Sequence, residues 1–257
     1  MISILKNNVR YIILLWVFLI GAGIKSQSDQ SKKILFVGNS YTYFWNLPQT
    51  VSAMSLKDSI FLDTRQSTMG GVSLGQHWNA YKGLNTREII EKNNYDIVIL
   101  QDHSLQAIEK PDSLLYYGKL FGELIRKEGA KVYLYMTWAR KNNPTTQKEI
   151  ANVYLKLANE IDAIIVPVGL AWERARNIQP EIELFDEDGS HPSPMGTYLT
   201  ACVFYEILTG KSSVGLSNRI TATDLNGEKL FLNIRSDTNA NFLQNVAHDV
   251  IIEAKMR

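Results

Sequence analysis

The sequence predicts an α/β fold: a mostly parallel five-stranded sheet with helices over both of its faces. Three observations lead there. From Lys32 onward, short apolar runs alternate with stretches of helical periodicity. The runs are continuous rather than alternating, as strands buried on both faces read. Glycines and small polar residues follow the runs directly, where open parallel sheets collect ligands.

In chain order, Ile34-Leu35-Phe36-Val37 is a short run stopped by Gly38 and reads as the first strand. Leu47–Lys57 is helix-like, and Ile60–Arg65 is a weaker strand closed by the breakers Gly70-Gly71. Leu74–Lys82 is a second helix candidate, followed by a strong strand at Ile97–Leu100. In Ser113–Lys127, Leu120, Phe121, Leu124 and Ile125 recur at helical spacing and define one apolar face. Val132–Met136 and Ile164–Pro167 are the last two strands, separated by a helix over Thr145–Asn159. Helices over Gly169–Asn177, Pro194–Thr209 (stopped by Gly210) and Asn239–Lys255 complete the pattern. No repeat, low-complexity tract or linker divides this body, so 257 residues read as one domain behind a leader.

That leader is the first stretch of chain. Lys6 and Arg10 precede a 14-residue apolar run, Tyr11–Ile24, and a polar segment follows. A basic region ahead of a short apolar stretch is the pattern of a secretory signal peptide. The run is shorter than the about 20 residues of a membrane span, although an uncleaved N-terminal anchor is the alternative. Small residues suggest cleavage after Gly23 or Ser26, giving a signal segment over 1–26 and a mature domain over 27–257. No cysteine follows the run, which argues against a lipid-modified N-terminus of the bacterial lipoprotein type. Export to periplasm, cell surface or medium is the expectation.

Composition excludes other classes. Hydrophobic residues make up 45% and charged residues 21%, a globular balance. The 27 basic and 26 acidic residues nearly cancel, so no basic field points to nucleic acid. The single cysteine, Cys202, excludes an internal disulfide and a cysteine-based structural zinc site, and its apolar neighbours read as core.

The chemistry gathers at the strand ends. Gly38-Asn39-Ser40 follows strand one, Gly70-Gly71 follows strand two, Gln101-Asp102-His103-Ser104 follows strand three, and Trp138 and Arg140 follow strand four. Later, Asp188-Gly189-Ser190-His191-Pro192 precedes a helix. A serine hydroxyl needs a base to take its proton, and histidine is suited to that at neutral pH. Ser40 as nucleophile, His191 as base and Asp188 as the carboxylate orienting the ring follow triad logic.

These same segments resemble the SGNH/GDSL hydrolases over roughly Lys33–Gly210, with Asp-x-x-His-Pro ahead of a helix as the most specific motif. The resemblance implies a flavodoxin-like three-layer α/β/α sandwich that hydrolyses esters, often acyl groups on carbohydrates or lipids, without a cofactor. It carries the nucleophile to Ser40, the base to His191 and its partner to Asp188. Two departures stand out. Asn39 replaces the common aspartate of the first motif, and the segment carrying the family's oxyanion-hole asparagine is missing. Gln101, with the same amide one methylene further out, is the expected replacement, beside the backbone N–H groups of Ser40 and Gly71, the latter preferred over Gly70. Removal of one such donor costs about 10²–10³ in rate.

Trp138 is the best placed of Trp78, Trp138 and Trp172 to form a pocket wall, since aromatic faces stack on sugar rings, and His103 is a second candidate for lining the pocket. His77 and His248 sit in helix-like stretches and read as structural or solvent-facing. A metal site from Asp102, His103, Asp186, Asp188 and His191 is an alternative, but their spacing matches no metal motif. The expected reading is an exported serine esterase acting on an acylated small molecule or carbohydrate, with no metal, no nucleic acid, and membrane contact only through the N-terminal segment. A secreted carbohydrate-binding or scaffold protein with a degenerate site is the rival.

Overall fold

A computed structural model describes residues 31–255. The segment read as a signal peptide, 1–26, lies outside the described residues. Five strands form a fully parallel sheet in the order β2-β1-β3-β4-β5: β1 Ser31–Gly38, β2 Phe61–Thr68, β3 Ile97–Leu100, β4 Lys131–Tyr135 and β5 Ile164–Val166. The chain runs outward from β1 to β2 and then returns past β1 to β3. The topological switch point therefore lies between the carboxyl ends of β1 and β3, where open α/β sheets hold ligands.

The continuous apolar runs are explained by two buried faces. Along β1, Ile34 and Phe36 join one core while Leu35 and Val37 join the other. Along β3, Ile97 and Ile99 alternate in the same way with Val98 and Leu100. One face is covered by α6 (Pro111–Lys127) and α7 (Gln147–Ile161), through Phe121, Ile125, Tyr154 and Leu157. The other carries α2 (Leu47–Ser55), α8 (Val168–Ile178), α9 (Pro194–Thr209) and α10 (Asp237–Lys255). The three-layer arrangement is thus as the sequence predicts. Helix α9 is buried nearly all round, continuously from Tyr198 to Tyr205, because it lies between the sheet and α10. Cys202 sits inside it, buried.

The structure departs from the sequence reading in several places. β2 runs to Thr68 rather than stopping at Arg65, paired in register with β1 to its end at Gly38. Helix α3 covers only Leu74–Trp78 of the expected Leu74–Lys82, since Ala80 and Lys82 take left-handed backbone angles. Two short helices, α4 (Thr86–Lys92) and α5 (Gln106–Glu109), have no counterpart in the sequence reading. Neither does a separate antiparallel hairpin, β6 (Arg219–Thr223) with β7 (Lys229–Ile234). Its turn has a readable signal: Asp224 accepts the N–H groups of Asn226 and Glu228 at 2.8 Å, and Gly227 supplies φ +85°.

Candidate active site

Ser40 opens α1 (Ser40–Tyr43), two residues past Gly38 at the end of β1. Asn39 caps this turn, its Oδ1 accepting the Tyr41 N–H at 3.1 Å and its carbonyl accepting the Thr42 N–H at 2.9 Å. Its Nδ2 donates to the Val72 carbonyl at 3.0 Å, tying the Gly70-Gly71 loop to the β1 turn. An aspartate could cap equally well but could not donate, so asparagine is a substitution with a local purpose. Gly38 has no room for a side chain: a Cβ there would lie 2.4 Å from Gln101 Oε1 and 2.5 Å from Thr42 Oγ1. His77, which is buried, donates from Nε2 to the Gly38 carbonyl at 2.9 Å and meets Thr86 Oγ1 at 2.7 Å. It is a structural residue, and burial lowers its pKa, which favours the neutral ring this network uses.

His191 reaches the same rim from a tight hairpin. Phe185 bridges to Pro192, the Asp186 N–H donates to the His191 carbonyl at 2.8 Å, and Gly189 turns the chain at φ +66°. Asp188 Oδ1 accepts the N–H groups of Ser190 and His191, both at 2.9 Å. Two indoles clamp the loop from outside it: Trp45 donates to the Pro192 carbonyl at 2.8 Å, and Trp138 to the Ser190 carbonyl at 3.0 Å. The imidazole stacks on Phe44, with ring centroids 4.5 Å apart.

The structure brings Ser40, His191 and Asp188 into a line. Ser40 Oγ lies 2.8 Å from His191 Nε2, and His191 Nδ1 lies 2.5 Å from Asp188 Oδ2. Asp188 can only accept when ionised, so Nδ1 carries the proton and Nε2 is left to accept from the hydroxyl. Partial burial raises the Asp188 carboxyl, but hydrogen bonds from the His191 ring and from the Ser190 and His191 amides outweigh it and hold the pKa below its ordinary value. Ser40 and His191 face a cavity of about 380 Å³ together with Gly70, Gly71, His103 and Arg140. Among the described residues, neither the Ser40 nor the Gly71 N–H is spent on a protein acceptor.

Two expected site residues are placed differently. Gln101 is fully buried and does not reach the cavity. Its Oε1 accepts from the Asn39 N–H at 2.9 Å and the Thr42 hydroxyl at 3.0 Å, while its Nε2 donates to the Asp102 carbonyl. The amide expected to face an oxyanion is thus consumed in stapling β3 to the β1 turn. Trp138, 1% exposed, is not a wall of the Ser40 cavity. It lies beneath, stacked between Tyr41 (4.6 Å) and Trp172 (3.7 Å), because the residues after β4 fold back under the His191 loop. His103 does line the cavity; its Nδ1 accepts the Leu105 N–H at 3.4 Å, which puts the neutral ring's proton on Nε2. Among the described residues, no three of the His, Cys, Asp or Glu side chains gather as a metal ion would require, so the alternative set around Asp102 and Asp186 is not assembled.

No family model matches the sequence, and no curated protein matches it either. Solved structures do. A DUF4886 family protein from Bacteroides uniformis superposes with a TM-score of 0.69 at 18% identity, covering 87% of this chain and 96% of its own. A protein from Slackia heliotrinireducens described as a candidate SGNH hydrolase matches with a TM-score of 0.60 at 22% identity, over 69% of this chain and 99% of its own. The chain has the SGNH-hydrolase fold. Esterases share it: an acetylxylan esterase from Geobacillus stearothermophilus aligns at 14% identity with a TM-score of 0.52, covering 69% of this chain and 94% of its own. In the SGNH fold as this chain builds it, the cavity opens at the switch point between β1 and β3. Arg140, which the sequence reading did not single out for the site, is part of its wall.

Proposed function

We propose that the protein is an exported serine ester hydrolase whose mature domain spans 27–257, with Ser40, His191 and Asp188 as its catalytic triad. The observation that carries this reading is the 2.8 Å contact between Ser40 Oγ and a His191 Nε2 that Asp188 holds in the accepting tautomer. Ser40 Oγ attacks the ester carbonyl as its proton passes to Nε2, and the carbonyl electrons move onto oxygen. The backbone N–H groups of Ser40 and Gly71 stabilise that oxyanion. Collapse expels the alcohol, which takes the proton from His191 and leaves an acyl-serine. Water, deprotonated by His191, then releases the acid and restores Ser40. These steps use only groups of this chain.

Carbohydrate O-deacylation is the substrate class we favour, supported by the basic-apolar N-terminal segment and by acetylxylan esterases among the structural neighbours. The rival is a secreted carbohydrate-binding or scaffold protein, which draws on one specific observation: the Gln101 amide, expected as the third oxyanion donor, is turned to the Asp102 carbonyl and away from the cavity. A fluorophosphonate probe separates the two. The hydrolase reading expects stoichiometric labelling that disappears in Ser40→Ala. No labelling of the wild type, or labelling that persists in the alanine variant, would favour the binder.

A further inference from the structure

Arg140 lines the same cavity as Ser40 and His191. Its Nη2 donates to Ser104 Oγ at 2.9 Å, and its Nε–H is buried with no acceptor. Among the described residues, no aspartate or glutamate forms an ion pair with it. The charge is felt in the cavity: after burial, Arg140 is the next cause lowering the pKa of His103. A second depression, about 210 Å³, shares Ser104 and Arg140 with the first and is lined further by Asn142, Asn143 and Thr146 and by the apolar Leu105, Ile108 and Ile150. Arg140 therefore borders both hollows, and no aspartate or glutamate lines either of them.

A half-buried cation without a counter-ion costs free energy that a neutral residue of similar shape would avoid. Guanidinium geometry matches a carboxylate, and such hydrogen bonds gain most where water is partly excluded. We propose that Arg140 binds a carboxylate carried by the ester substrate, so that the enzyme selects acidic esters over neutral ones. The inference rests on the ester-hydrolase reading and adds to it the charge of the substrate. Arg140 acts in binding; it holds the substrate and takes no part in proton transfer.

The test compares kcat/KM within two matched ester pairs. Para-nitrophenyl hemiglutarate against para-nitrophenyl pentanoate puts the carboxylate on the acyl side, and para-acetoxybenzoate against phenyl acetate puts it on the alcohol side. We expect the acidic member of one pair to be preferred about 10- to 100-fold, the range of a hydrogen bond to a charged group. That preference should collapse in Arg140→Gln, through KM more than kcat, and return in part in Arg140→Lys. The pair that responds identifies the side of the ester bond. Equal rates within both pairs, or a preference that survives Arg140→Gln, would overturn the proposal. A binding measurement keeps the two readings apart: titration of Ser40→Ala protein with glutarate and with benzoate, followed by tryptophan fluorescence. Saturable binding of one of them, lost in Ser40→Ala/Arg140→Gln, supports the anion site even if no ester is cleaved. Absence of binding, or binding indifferent to Arg140, rejects it even if esters are cleaved.

Discussion

The side-chain carbonyl of Gln101 accepts the backbone N–H of Asn39 at 2.9 Å, one residue before Ser40, the proposed nucleophile. With the Thr42 hydroxyl on the same oxygen and the Asp102 carbonyl on the amide, one glutamine ties the end of β3 to the turn after β1. These two strands flank the switch point, so this staple sets where Ser40 stands.

Replacing Gln101 therefore tests a structural role against a catalytic one. Gln101→Leu leaves the Asn39 N–H buried without a partner, at a cost of about 1–3 kcal/mol for that group alone. A fall in Tm is expected, accompanied by loss of fluorophosphonate labelling as the turn loosens. An unchanged Tm with kcat lowered about 10²–10³-fold would instead identify an oxyanion donor.

Asp188→Asn separates orientation from folding. The oxygen of the introduced amide can still accept the Ser190 and His191 N–H groups, but its nitrogen would face His191 Nδ1 and drive the ring proton to Nε2. That ring nitrogen could then no longer accept from Ser40. Activity should fall by roughly 10²–10⁴-fold. The side chain is half exposed, so stability should move by less than about 1 kcal/mol. Kinetics and thermal unfolding of the same preparation check both halves.

Asp102 gives the protein a pH-dependent stability of definite sign. Burial, partly offset by hydrogen bonds from the Leu74 and His103 amides, pushes its carboxyl up from 3.8 to about 6, and its Oδ2 is buried without a partner. The folded state therefore holds this proton to higher pH than the unfolded chain does. The stability this confers is fully present below about pH 4 and is lost as pH rises through about 6. The expected size is on the order of 3 kcal/mol, because each tenfold gain in proton affinity is worth about 1.4 kcal/mol. Urea unfolding of wild type and Asp102→Asn at several pH values reads it as a difference, which cancels the opposite slope from buried His77. Parallel pH curves for the two proteins would refute the assignment.

Much of this architecture is legible in one dimension. Ile34–Val37 and Ile97–Leu100 announce doubly buried strands because every residue in them must face one core or the other. Asp188 and His191 are three residues apart in a turn-forming stretch, so their contact is local and readable. Ser40 is readable as the serine two residues past a glycine that stops a buried strand. The β6–β7 hairpin, by contrast, pairs short half-exposed strands whose only strong local signal is Asn226-Gly227.

What the sequence alone determined is the order of the five sheet strands and the longer helices and the presence of a serine, a histidine and an aspartate at the ends of those elements. Burial periodicity and turn chemistry are properties of neighbours along the chain, and they need no partner from elsewhere. The tertiary structure alone decided that Gln101 turns inward, that Trp138 lies under the site rather than in it, and that Arg140 shares the cavity of Ser40 with no acidic partner among the described residues. A polar or aromatic side chain goes where its hydrogen bonds and its area are satisfied first. At a switch point, those competing partners come from strands and loops far apart in sequence.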